Sequence, residues 1–205
     1  MRSNRALIVG ALSCAIGGYA HGQIFYNNFL AGDTSTTNGY AFEGGGTLSY
    51  FEQGFSFTSG ATGQLAKLTL SVFYVTGTNS ATMTLWSDSA GLPGSALGSW
   101  TLNNLPSNGS GTATTTSFTG GPPLSSGTTY WLSVSVPVNS ESTWDQTSAG
   151  TIGPRVFRSS SSSAFSNVGN GVQGGMRLEA VPEPTSLAAL SLGALLVLKR
   201  LRNNA

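Results

Sequence analysis

The chain has one cysteine and one histidine in 205 residues. Both, Cys14 and His21, lie at the N-terminal end. Downstream there is no imidazole to move a proton for a Ser-His-Asp or Cys-His nucleophile. Zinc sites, which draw on Cys or His, are excluded there as well. No disulfide framework can form, so the fold must rest on packing and sheet hydrogen bonds. Charge is also scarce, at 8% of residues. From residue 23 to 184 only Lys67, Arg155, Arg158 and Arg177 are basic, against eight acidic residues, a net charge of −4. This is no basic stripe, and nucleic acid is not an expected partner. The sequence shows no Gly-rich phosphate loop and no Asp-rich calcium loop, so no cofactor or metal is expected. It also lacks an internal repeat and, before residue 185, any amphipathic helical pattern.

What is present is apolar and aromatic. Hydrophobic residues make up 39% of the chain, including four Trp, six Tyr and ten Phe, enough to bury a core. Arg2 and Arg5 precede the apolar run Ala6 to Ile16, and small residues follow. This is the pattern of a secretory signal peptide. Cleavage after Gly22, with Ala20 three positions before the cut, starts the mature chain at Gln23; a cut after Ala20 is the alternative. A buried N-terminal helix is the competing reading. A lipoprotein signal at Cys14 fits less well, because Leu12 is one position off and the apolar stretch continues past the cysteine.

Residues 24–180 alternate with period 2 rather than 3.6. In "AKLTLSVFYV" (66–75), Ala66, Leu68, Leu70, Val72 and Tyr74 share one face of an expected strand. "ATMTLWSD" (81–88) and "TYWLSVSV" (129–136) read the same way, "EQGFSFT" (52–58) and "GSWTLNNL" (98–105) as shorter strands. "TATTTSF" (112–118), rich in β-branched Thr, suits an edge. Gly, Pro, Asn and Ser clusters separate these runs. In "SAGLPG" (89–94), Gly91 and Gly94 flank Pro93 in an expected tight connection. Serines 159–163 read as a loop, "NVGNGVQGG" (167–175) as a Gly-rich connection and residues 176–180 as a last strand. The expectation is an antiparallel, jelly-roll-like β-sandwich over residues 23–180. It stands between a signal helix (1–22) and a C-terminal segment (181–205).

Two kinds of site residue stand out in the body. Glu141 and Asp145 flank Trp144 in "ESTWDQ" and are the best available carboxylate pair for a glycosidase; the competing reading is surface charge on a loop. Trp86 and Trp131 point opposite to the apolar faces of their strands. With Trp144 they are candidates for stacking on sugar rings. The competing reading is a sandwich whose strands are covered on both sides.

The C-terminal stretch "VPEPTSLAALSLGALLVLKRLR" has three parts. Pro182 and Pro184 keep their neighbours out of a helix. Thr185 to Leu198 carries no charge over 14 residues. As a helix it is about 21 Å long, short of the roughly 30 Å hydrocarbon core. Lys199, Arg200 and Arg202 can snorkel and hold the C-terminus in the cytoplasm. Val181-Pro182-Glu183-Pro184, the apolar run and the basic end, in this order, resemble the PEP-CTERM sorting signal of bacterial exported proteins. The resemblance implies export, a transient stay in the inner membrane and cleavage near the motif by an exosortase, a membrane protease. Release at the cell surface would follow, in association with exopolysaccharide. "FEQGFSFTSG", "LAKLTLSV", "TMTLWSDSAGLPGSALGSW" and "LSSGTTYWLSVSV" resemble the choice-anchored domains, type R, that precede such signals. That likeness implies location and no activity. Three functions follow: a non-enzymatic surface or matrix protein, a carbohydrate-binding module using exposed aromatics, or a hydrolase using Glu141 and Asp145.

Circular dichroism of residues 23–180 is expected to show a β spectrum and one cooperative melt, unchanged by reductant. A helical spectrum, or no transition, would contradict the strand pattern.

Overall fold

The computed structural model describes residues 22–109 and 113–180. The expected signal segment, the Val181–Pro184 motif, the apolar run and Lys199, Arg200 and Arg202 lie outside them. Gln23–Val181 form one compact unit. Every regular element among the described residues is a strand. These are β1 (Ile24–Asn27), β2 (Ser35–Gly44), β3 (Tyr50–Thr58), β4 (Gly63–Leu70), β5 (Val72–Thr76), β6 (Ser80–Ser89) and β7 (Leu92–Asn103). They continue as β8 (Thr114–Ser117), β9 (Pro123–Leu124), β10 (Thr129–Ser135), β11 (Glu141–Thr147), β12 (Ile152–Arg158), β13 (Ser166–Val172) and β14 (Met176–Ala180).

The strands form two antiparallel sheets. The smaller runs β1-β14-β4-β8, with β9 also on β4. The larger runs β5-β11-β2-β3-β10-β6-β7; β12 adds to β3, and β13 to β12. Alternation places Phe25, Leu68, Leu70, Met176 and Leu178 of the small sheet and Phe55, Met83, Leu85, Leu132 and Val134 of the large sheet in one buried cluster. Each such side chain contributes about 1.5–3 kcal/mol by leaving water. The arrangement is all-β and antiparallel, consistent with a β-sandwich. The Thr-rich β8 lies at the edge of the small sheet, as its composition implies.

Three expectations are corrected. The run 66–75 is not one strand with one buried face. It leaves the small sheet at Leu70 and enters the large sheet at Val72, so Thr69 and Phe73 are buried too. Ser71 makes the crossing. Its N–H donates to Gly175 O (3.0 Å), and its hydroxyl donates to Asp145 O (2.6 Å). Second, the turn within 89–94 is tighter than expected. Ala90 and Gly91 both have positive φ (53° and 81°), the geometry of a two-residue hairpin turn, and Ser89 pairs with Leu92. Pro93 and Gly94 belong to β7, an edge strand that tolerates a missing N–H. Gly94 is there for space, since a Cβ would lie 2.9 Å from both Ser87 Oγ and Ser89 Cβ. Third, "ESTWDQ" is strand β11 rather than a loop, and most of "NVGNGVQGG" is strand β13. Neither shows apolar alternation; pairing with β2 and β5, and with β12, decides their conformation.

The remainder of that Gly-rich stretch is a packing point. A Cβ on Gly174 would overlap the Trp144 indole, and one on Gly175 would overlap the Phe29 ring. Gly174→Ala and Gly175→Ala are each expected to cost about 1–3 kcal/mol or more in a denaturant melt. Neither glycine has positive φ, so the cost would come from overpacking. Gly91→Ala, a turn position with open space around it, tests backbone strain instead, at about 1–2 kcal/mol. A neutral outcome at Gly174 and Gly175 would mean that the segment shifts freely.

Candidate functional site

The outer face of the large sheet carries a paired polar network and, beside it, a polar cleft. Trp131 on β10 and Trp86 on β6 are direct cross-strand partners on this face, opposite Leu132 and Leu85 in the core. They are covered. Trp131, Val156 and Phe165 form a second buried cluster, against which Trp86 and Leu92 pack. Val156, on β12 alongside β3, and Phe165, after the serine loop, supply the side chains that cover the tryptophans. The reading of strands covered on both sides therefore holds at this face.

A polar network underlies the cover. The Trp86 indole N–H donates to Ser133 Oγ (2.9 Å), whose hydroxyl donates to Glu52 Oε1 (2.6 Å). Arg158 Nε donates to Glu52 Oε2 (2.8 Å), and so does the Tyr50 hydroxyl (2.9 Å). Glu52 is 2% exposed and ion-paired with Arg158, so removing Arg158 would leave a buried carboxylate without its partner. The Arg158 guanidinium also lies 4.7 Å from the Phe165 ring centre. Burial, then the charge of Glu52, pushes the Tyr50 hydroxyl up to about 12. Every member is paired, which marks a structural clamp rather than a reactive centre.

Beside the clamp the surface opens into a polar cleft of about 430 Å³. Its floor is Trp131 with Ser56; its walls are Asp88 at the end of β6 and Pro154, Asn167 and Asn170 of the β12–β13 hairpin. Asp88 is held from two sides. The Trp131 indole N–H donates to Oδ1 (2.7 Å), and the Gly91 N–H donates to Oδ2 (3.2 Å). Asn167 Oδ1 accepts from the Gly169 N–H (2.6 Å), in the left-handed turn that Gly169 makes with φ of 82°. Sequence reading missed these residues. Asp88 and the two asparagines read there as strand-end and turn residues, and only the strand order β6-β10-β3-β12-β13 places them together.

The candidates read from sequence are distributed otherwise. Trp144 is fully buried between the sheets, edge-on to Phe55 at 5.0 Å, with its indole N–H on Gly175 O (3.1 Å). Trp131 is 1% exposed. Trp86 is half-buried, with Phe165 against its ring at 5.5 Å. None is an open platform for a sugar, because packing occupies the faces that parity alone left free. Glu141 and Asp145 stand four residues apart on β11, about 13 Å along an extended strand, against the roughly 5–9.5 Å of glycosidase pairs. Glu141 lies opposite Glu43, and Asp145 is buried. Among the described residues no cluster of three or more His, Cys, Asp or Glu is placed to hold a metal ion. No protein-family model, no curated protein and no solved structure matches the chain.

Asp145 has a measurable signature. Burial raises its pKa, and the Thr143 hydroxyl on Oδ1 (3.2 Å) offsets this in part. A carboxyl with a raised folded-state pKa contributes stability below its unfolded pKa and loses it as pH rises through the folded value. Denaturant melts at about pH 3 and about pH 7 are therefore expected to show the native chain losing stability relative to Asp145→Asn as pH rises. An equal difference at both pH values would contradict this.

Proposed function

We propose that this is an exported, non-enzymatic protein of the cell surface or extracellular matrix, sorted and processed through its C-terminal signal. Val181-Pro182-Glu183-Pro184 is the processing motif, Thr185 to Leu198 a transient membrane segment, and Lys199, Arg200 and Arg202 the stop. An exosortase-type membrane protease is the partner. The body is a jelly-roll-like sandwich that outlives the tail. The observation that carries the reading is the order of the three tail parts directly behind a self-contained domain. β14 ends at Ala180, one residue before the motif. The Ala180 N–H donates to Gln23 O (2.8 Å), so the sheet closes before the cut site. Cleavage near Pro184 would leave every strand intact.

Replacing Pro182-Glu183-Pro184 with Ala-Ala-Ala lets a helix extend upstream and hide the cut site. The expected result is uncut protein in the inner membrane of the native host. Mass spectrometry of the released native form is expected to find a C-terminus near Pro184. A surface form that keeps Lys199 to Ala205 would make the tail a short anchor instead.

A further inference from the structure

We propose that the cleft above Trp131 binds a neutral, hydroxyl-rich ligand, a short stretch of uncharged polysaccharide. The proposal goes beyond the surface-protein reading and does not use the tail. The cleft volume falls in the range of small-ligand sites and admits one or two sugar rings. Its chemistry narrows the class. Asp88 is the one charged residue of the lining, so phosphates and uronic acids meet repulsion. A lipid or other apolar ligand finds only Pro154 and a Trp131 that is 1% exposed. A single carboxylate also gives a metal ion too few ligands.

Hydroxyls, by contrast, are matched on both walls. Each oxygen of Asp88 already takes one N–H, from Trp131 and from Gly91, which fixes the carboxylate plane. Each keeps a lone pair for a hydroxyl, so two adjacent hydroxyls can donate to the two oxygens. On the opposite wall the Asn167 carbonyl is occupied by Gly169, which leaves its amide hydrogens as donors. Asn170, paired with Pro154 across the hairpin, adds a second amide at the mouth. A sugar hydroxyl both donates and accepts, and a wall of fixed acceptors facing a wall of donors suits it. The groups stand on strands and hydrogen-bonded turns, so little ordering accompanies binding. Trp131 serves as the buried anchor of Asp88 and does not stack.

The Trp131 indole N–H is a built-in reporter, because its acceptor is the proposed ligand-binding group. ¹⁵N-labelled residues 23–180, the unit that holds the whole core, would be titrated with short oligomers of glucose, galactose and mannose, with a uronic-acid oligomer and with a glucosamine oligomer. The Trp131 indole and the Asn167 and Asn170 amide signals are expected to shift with at least one neutral oligomer, and less with the uronic acid. Asp88→Asn and Asn167→Ala should each weaken that binding by about tenfold or more. Both positions are exposed, but each substitution removes an acceptor of an N–H, so the folded spectrum should be kept with a modest fall in melting temperature; Asn170→Ala is a third variant should either fail to fold. No shift with any neutral oligomer, shifts indifferent to the substitutions, or tighter binding of a charged oligomer would overturn the proposal. The titration contains neither tail nor protease, so its failure leaves the sorting reading standing, and a surface form that keeps its tail leaves this one standing.

Discussion

The two sheets are tied where the chain crosses between them, and the rest of the fold depends on that seam. Ser71, Asp145 and Gly175 come from three distant segments, and their backbones bond one another. Ser71 N–H donates to Gly175 O, Asp145 N–H to Ser71 O, and Gly175 N–H to Asp145 O, at 2.8–3.0 Å. β4 and β14 leave this point for the small sheet; β5 and β11 leave it for the large one. Asn28 extends the seam, its amide donating to Gly174 O and its carbonyl accepting from the Met176 N–H. A chain without disulfides needs such a joint. Apolar burial between sheets is non-directional, while bonds closed around one point fix how the sheets meet. The two glycines are the condition for it, because Trp144 and Phe29 occupy the space that side chains there would take.

A second consequence follows for the large sheet. Its central strands β3 and β10 pack against the core on one face, and on the other Trp131 is covered by the Val156 and Phe165 side chains. Polar groups of the outer face then had to be paired or left at an opening. Glu52, Ser133 and Trp86 are paired through Arg158. Asp88, Asn167 and Asn170 lie at the opening. Clamp and cleft are thus two results of one event, the pairing of the β12–β13 hairpin along β3, with Val156 and Phe165 packed on the outer face. The clamp fixes β12 on its Arg158 side, and this positions Pro154 and its partner Asn170 at the cleft.

The legible parts of the sequence were those where burial on one face dominates. Met83 and Leu85 against Thr82 and Thr84 announce β6, and Tyr130, Leu132 and Val134 announce β10. Where pairing or packing dominates, the pattern is silent. β13 has no apolar rhythm and exists because β12 offers a ladder; β11 hides a fully buried Trp144 among polar residues. The crossing at Ser71 looks like continued alternation, since a switch of sheet preserves period 2 while exchanging the faces. Parity correctly set Trp131 and Trp86 opposite the core, yet it could not say whether another element covers them. The cleft was out of reach for the same reason. Its walls come from strands 79 positions apart in sequence, Asp88 and Asn167, joined only by tertiary structure.

Charge placement completes the argument from composition to the cleft. Three of the four cations of the body are committed to ion pairs: Lys67 with Glu179, Arg158 with Glu52, and Arg177 with Asp33 and Glu179. The fourth, Arg155, lies over the Tyr40 ring at 4.3 Å. Among the described residues Glu43, Asp88, Glu141 and the buried Asp145 have no cationic partner, and Glu43 faces Glu141 directly across the strands. The surface field is therefore weakly negative, and salt would screen it beyond about 10 Å. On balance it disfavours acidic polymers and is indifferent to neutral ones. Asp88, with one N–H donor on each of its two oxygens, stands at the opening. A scarcity of charge thus leaves a surface on which hydroxyl and amide hydrogen bonds, rather than ion pairs, would decide what the domain holds.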